Sequence, residues 1–298
     1  MKQVVHATET LRRASLLVLA AFSLLAGGCK SLHRSAALSD VLSPAELARI
    51  GAPSNSRNWQ PNLSVLPYAE LNGSQLTVHN IRNTKYLSAD DYVVRHYDKT
   101  FDINLLRTAD FLVVPFKGSP SMAHTMLSFG FGDQGHLAVS IEARLEQDEK
   151  YSPIKGAMRQ FELMYVIADE HDVIALRTKY RKDDVYLYRS KATPDQARKL
   201  LVDVLARANK LAREPEFYDT FTNNCTTNIV QHVNRLAPGR VPFDIGVLLP
   251  GYADQLAYNL GLLETHSSFK KTRREAHINY LANRYAESPD FSEKIRQR

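Results

Sequence analysis

A chain of 298 residues, 44% hydrophobic and 23% charged, has the composition of a globular protein rather than a disordered one. Its formal net charge is +6, but residues 266–298 alone carry eight Lys/Arg against four Asp/Glu, and Lys2, Arg12 and Arg13 against Glu9 account for the rest. Residues 29–265 are therefore close to neutral, which excludes the basic footprint of a nucleic-acid-binding body, and two cysteines exclude a disulfide framework.

The N-terminus has basic residues, an apolar run from Ala14 to Ala26, and then Gly27, Gly28 and Cys29. This order is that of a secretory signal, and the run is shorter than the roughly 20 apolar residues a spanning helix needs. Leu25-Ala26-Gly27-Gly28-Cys29 resembles a bacterial lipobox, which implies a cut after residue 28 and lipid on Cys29. The alternative is an ordinary signal in which Cys29 is incidental. Lipidation would leave Cys225 as the one thiol of the mature chain, in an oxidising compartment where an unpaired thiol is a liability. The division expected is 1–28 lipoprotein signal, 29–60 polar tether with a short helical patch "SPAELARI", 61–265 catalytic domain, and 266–298 basic helical tail. No later segment is apolar enough to span a bilayer, so the lipid would be the anchor. It would hold a periplasm-facing chain at the envelope, at the outer membrane in preference to the inner.

Within the body, "QLTVHNIRN" (75–83) and "DFLVVPF" (110–116) are β-rich and read as strands. "HTMLSFGF" (124–131) and "HLAVSIEAR" (136–144) flank "GDQG" and predict a hairpin. "FELMYVIAD", "HDVIALRTKY" and "DVYLYRS" are read as three more strands. "TPDQARKLLVDVLARANKLAR" starts a helix, with Thr193 as N-cap and Pro194 in its first turn. A second helix is predicted to begin at Cys225, and "KKTRREAHINYLANRYAE" reads as one basic helix. Strands first and helices after argue an α+β fold.

Asn223 and Asn224 precede Cys225, and Ile229, Val230, Val233 and Leu236 follow at helical spacing. Asn is a strong N-cap, so the thiol is expected in a first turn, where open N–H groups and the helix dipole favour an anion and depress a thiol pKa. The bland alternative is a small apolar plug. In the hairpin, Leu127, Phe129 and Phe131 share a face with Leu137, Val139 and Ile141, as alternation requires. The other face carries His124, Met126, Ser128, His136, Ser140, Glu142 and Arg144. With the turn near Asp133, His124 lies opposite Glu142, and a slip of two residues would put it opposite Ser140 or Arg144. Read alone, that face is an ordinary solvated sheet surface. His171 and His232 read as exposed loop and helix residues. "GFGDQG" joins two strands and lacks the Lys-Ser/Thr of a phosphate loop.

Asn-Cys-Thr-Thr at a helix start, with a histidine upstream on a strand, resembles the permuted papain-like superfamily, which includes lecithin:retinol acyltransferase-like enzymes and NlpC-type peptidoglycan amidases. "HNIRN" (79–83), "AHTMLSFGF" (123–131), "SIEAR" (140–144), "ELMYVIADEHDVIALR" (162–177), "FYDTFTNNCTT" (217–227) and "LLPGYAD" (248–254) resemble the N-terminal periplasmic domain of Lnb-type lipoprotein N-acyltransferases. The resemblance implies a permuted papain-like fold, an antiparallel sheet packed on helices, with an acyl-enzyme mechanism. Cys225 would be the nucleophile and His124 the base, with Glu142 or Ser140 fixing the imidazole. Asn224 and Thr226 would support the oxyanion. The expected partners are a membrane lipid as acyl donor and a lipoprotein N-terminus as acceptor. No metal, no other cofactor and no nucleic acid is expected, since neither His-Glu-x-x-His nor Cys-x-x-Cys occurs. A peptidoglycan thiol hydrolase on the same pair, and a non-catalytic envelope lipoprotein, remain as alternatives.

Overall fold

In the computed structural model residues 52–297 are described; the signal segment, Cys29 and most of the tether lie outside them. Alternating apolar residues build ten strands. They are β1 (Tyr68–Asn72), β2 (Gln75–Arg82), β3 (Lys85–Tyr86), β4 (Tyr92–Val93), β5 (His96–Asp102), β6 (Thr108–Phe116), β7 (Ser119–Gly130), β8 (His136–Arg144), β9 (Glu162–Asp169) and β10 (Tyr186–Arg189). Eight form one sheet in the order β1-β2-β9-β8-β7-β6-β10, with β5 beside β2, and only β2 and β9 run parallel. The class is mixed α/β, a large and mostly antiparallel sheet with helices.

The long helix α3 (Pro194–Arg213) starts as its sequence predicts. Thr193 and Gln196 form a reciprocal capping box and Pro194 opens the first turn. Its stripe Ala197, Leu200, Leu201, Val204, Leu205, Ala208 and Leu211 is buried against one sheet face, where Leu127, Phe129, Leu137, Val139, Ile141 and Tyr165 point. Helix α4 (Cys225–Leu236) adds Cys225 and Ile229 to the same core.

The opposite face is not the solvated surface that its alternation suggested. Met126, Ala138, Met164 and Val166 are each no more than 2% exposed. Two elements cover them. One is the segment 170–180, which is helix and not the expected strand: α2 (Glu170–Ala175) followed by a wider π turn over Leu176–Tyr180. Its β-branched Val173 and Ile174 favour a strand locally, but Asp172 and Arg177 of the same segment are buried in ion pairs with Arg82 and Glu142, and tertiary contacts override propensity. The other cover is the basic segment after residue 265. It forms α7 (Phe269–Ala276), α8 (Asn279–Arg284) and α9 (Phe291–Lys294) rather than one helix. The break falls where His277 bridges to Tyr186 and Ile278 N–H bonds the Val185 carbonyl, pulling the chain onto the edge strand. Ile278, Ala282, Phe291 and Ile295 enter the core. The shorter helices are α1 (Pro153–Ala157), α5 (Ile245–Leu248) and α6 (Ala253–Asn259).

Residues 54–59 are strapped onto the body. Ser54 N–H and Arg57 Nε both reach Glu162 Oε1, and the Arg144 guanidinium lies 4.2 Å over the Trp59 ring. Among the described residues no helix is long and apolar enough to cross a membrane.

Candidate active site

Strand β7 pairs with β6 from Gly130 out to Ala123, but with β8 only between Gly130↔His136 and Met126↔Ser140. Past that pair the two strands part, and the N-terminus of α4 fills the opening. Thr226 Oγ1 lies 3.0 Å from Thr125 Oγ1, and Cys225 Sγ is 4.0 Å from the Ala123 carbonyl oxygen. The outer end of β7 is held by a single turn at Pro250–Tyr252. Gly251 presses so closely there that an added Cβ would stand 1.9 Å from the Pro120 carbonyl oxygen.

Cys225 is the first residue of α4, and Asn224 is its N-cap. Asn224 Oδ1 accepts from Thr227 N–H (2.9 Å), and Thr227 Oγ1 returns to Asn224 N–H (2.8 Å), a reciprocal box. The Asn224 amide nitrogen donates to the Thr220 carbonyl (2.6 Å). Its side chain is thus occupied at both ends by the cap. The N–H groups of Cys225 and Thr226 point out of the first turn without a partner among the described residues.

His124 faces the thiol from β7. Its Nε2 lies 2.7 Å from Ser140 Oγ and 3.3 Å from Glu142 Oε1. Ser140 in turn donates to Glu142 Oε1 at 2.5 Å. Ser140 Oγ therefore accepts from Nε2–H, and the two residues expected as rivals for one role are linked in series. Nε2 being engaged, Nδ1 is the ring nitrogen left to meet Cys225, and the thiol and the ring line the same cavity. Arg177 Nη2 reaches Glu142 Oε1 at 3.2 Å, and its Nη1 is fixed on the Val173 carbonyl. Arg177 stands out in the sequence as an arginine of a quoted motif, but with 171–180 read as a strand its pairing with Glu142 did not.

Burial disfavours charge on each of these groups, and their mutual attraction outweighs it. The His124 imidazolium loses by desolvation but gains from the Glu142 carboxylate, and its pKa rises to about 9. Burial pushes the Cys225 thiol up, yet the neighbouring His124 brings it down to about 7. Glu142, opposed by its own desolvation, is held well below the carboxylate range by His124 and Arg177. Near neutral pH the arrangement favours thiolate beside imidazolium.

Cys225 is only 4% exposed, but it lines a cavity of about 250 Å3. The cavity lining is mixed, apolar at Val114, Phe116, Met122, Leu145 and Leu176 and polar at Gln60, Asn62, Arg181 and Asp183, with Tyr151 and Tyr218 among the lining residues. Two other arginines of the quoted motifs have fixed partners, and Arg82 also lines this cavity. Arg82 pairs with buried Asp172 at 2.7 Å, and Arg144 donates to the Leu63 and Ser64 carbonyls. His232, expected on the surface, is fully buried, and His171 is half-buried with its ring against Phe291. Both were misplaced because the elements that cover them are distant in sequence. His136 lies at the far end of the hairpin, 3.8 Å from Glu293. Cys29 lies outside the described residues. Among the described residues no three His, Cys, Asp or Glu side chains gather as a metal site.

A large, mostly antiparallel sheet with a cysteine at a helix start and a histidine–carboxylate pair beside it defines the class of domain. Residues 93–251 match the Lnb N-terminal periplasmic domain, more than half of the chain, and the chain belongs to that family. The matched stretch contains His124, Ser140, Glu142, Arg177 and Cys225, and it associates the chain with the periplasmic side of the envelope. No curated protein and no solved structure matches it.

Proposed function

We propose that the protein is a thiol-dependent acyltransferase of the cell envelope, which N-acylates lipoproteins through a Cys225 thioester on a permuted papain-like domain anchored by lipid at Cys29. The observation that carries this reading is the Cys225 thiol at the first position of a helix, lining one cavity with a histidine that is itself backed by Ser140 and Glu142.

With the proton already on His124, the thiolate attacks the ester carbonyl of a lipid. The N–H groups of Cys225 and Thr226 receive the developing oxyanion. Asn224 holds the turn, and the second N–H of its amide, beside the one given to Thr220, can add to them. The C–O bond breaks, the lipid alcohol leaves with the His124 proton, and an acyl-thioester remains. A neutral α-amino group, of ordinary pKa about 7.7–8.0, then attacks the thioester. His124 takes the amine proton, the C–S bond breaks, and the amide product leaves. Ser140 and Glu142 keep the ring in one tautomer and stabilise its charge, as the third member does in other triads. The apolar part of the cavity lining suits an acyl chain.

The polar part, with Gln60, Asn62, Arg181 and Asp183, favours a second reading, a thiol hydrolase of peptidoglycan peptides on the same pair. Purified protein incubated with a diacylated lipopeptide and phospholipid should yield a new amide-linked acyl chain by mass spectrometry. Cys225→Ala and His124→Ala should abolish it. Transfer that survives both substitutions overturns the mechanism, and muropeptide cleavage without transfer selects the hydrolase.

A further inference from the structure

On the side of α4 away from the cavity a chain of buried polar groups runs from α3 to the residue before the thiol. His232 of α4 is completely buried, with Nδ1 2.6 Å from Asp203 Oδ2 and 2.7 Å from Arg235 Nη2, and Nε2 2.8 Å from the Tyr165 hydroxyl. Tyr165 of β9 donates to Asn228 Oδ1 at 3.0 Å. Asn228 Nδ2 donates to the Asn224 carbonyl and to Asn223 Oδ1, each at 2.9 Å.

The sense of the chain can be counted from its far end. A carbonyl only accepts, so the Asn228 amide must present its nitrogen to Asn224 and its oxygen to Tyr165. The tyrosine proton then points at Asn228, and the tyrosine oxygen must accept from His232 Nε2–H. Nε2 therefore carries a proton, while Nδ1 stands between Arg235 Nη2 at 2.7 Å and Asp203 Oδ2 at 2.6 Å, and Arg235 Nε holds Asp203 at 2.9 Å. Burial lowers the His232 pKa to about 4, with the hydrogen bond to Asp203 opposing it and Arg235 adding to it. An interface filled with aliphatic side chains would be no less stable than a buried polar chain, so stability alone gives no reason for it. Its end point does, because both asparagines that Asn228 grips immediately precede Cys225.

We propose that His232, through Tyr165 and Asn228, is a positioning residue that fixes the first turn of α4 and so the placement of the Cys225 sulfur against His124. The inference rests on Cys225 being the nucleophile. Loosening the turn moves the sulfur off the imidazolium and the open N–H groups, and both had stabilised the thiolate.

The test is the rate of Cys225 alkylation by iodoacetamide as a function of pH, in the full purified chain. A displacement on the order of an ångström is costly at a reacting centre. Tyr165→Phe and His232→Leu should therefore slow alkylation at pH 7 by about tenfold and move its pH midpoint upward. His232→Gln can place an amide N–H near the Nε2 position and should restore most of the rate. Leu201→Val, a core change in α3, sets the effect of lost stability alone and should leave the midpoint unmoved. An unchanged profile in Tyr165→Phe and His232→Leu overturns the proposal, and so does an equal shift in Leu201→Val. Because alkylation reads the thiol directly, absence of acyl transfer in the parent protein would sink the proposed reaction while leaving this inference to stand or fall on the alkylation profile.

Discussion

The charge on Cys225 is set by neighbours that can be removed one at a time. With its pKa brought to about 7, the thiol should alkylate at a rate that climbs through that pH. His124→Ala deletes the cation that overcomes burial, so the midpoint should move above the ordinary thiol value of about 8.5. Glu142→Gln acts one step further away: without its carboxylate the imidazolium is less stable, and the thiol midpoint should also rise, by less. A His124→Ala midpoint still near 7 would mean that the helix start alone ionises the thiol. This pairing was readable in the sequence because strand alternation is local. One apolar face on both arms of the hairpin places His124 across from Glu142, and that register is kept even where the strands part. The pairing of Arg177 was not readable, since its partner is 35 residues away and its own segment carries a strand-like composition.

The site depends on Asn224 at the start of α4 and on the Pro250–Tyr252 turn against β7. Asn224→Ala removes both the acceptor for Thr227 N–H and the donor to Thr220. A lost N-cap costs about 1–2 kcal/mol, to be seen as a lower urea midpoint, with slower alkylation at pH 7 as the first turn frays. Gly251→Ala is a different fault. Its Cβ would meet the Pro120 carbonyl and the Ser121 backbone, and neither is the yielding end of a side chain. The turn must withdraw from β7, at a cost of about 1–3 kcal/mol by analogy with overpacked cores, and Pro250 leaves the cavity wall. Acyl transfer should fall further in Gly251→Ala than in a core variant of equal urea midpoint; equal loss would show that the turn only contributes stability. The capping signals of α3 and α4 lay within four residues of sequence and were legible. The helix at 170–180 was not, because what holds it is the pairing of Asp172 with Arg82, 90 residues away.

At the scale of the whole molecule the basic segment after residue 265 closes the second core, although its composition alone read as one basic helix. Arg296 shows how it is fastened. Its guanidinium donates from Nε to Asp110 (2.8 Å) and from Nη1 to Glu170 (2.8 Å), joining the segment to β6 and to α2. Asp110 is completely buried and Glu170 is 2% exposed. Removing one partner of a buried pair strands the other charge, so Arg296→Met should destabilise the fold by about 3–5 kcal/mol. The dependence on pH distinguishes this from simple loss of packing. Desolvation would raise the Glu170 pKa, but Arg296 outweighs it and holds the group at about 2, below its ordinary 4.5. A carboxylate with a depressed folded pKa contributes stability that is fully present above its unfolded value and lost as pH falls through the folded one. In thermal melts of the intact protein and of Arg296→Met, the gap in Tm should therefore be widest above pH 5 and should narrow as pH drops towards 2. Below that pH Glu170 becomes protonated in both, and the stranded charge no longer exists. A gap that stays constant over that range would assign the loss to the packing of the arginine stem, and the electrostatic fastening of the segment would have to be abandoned.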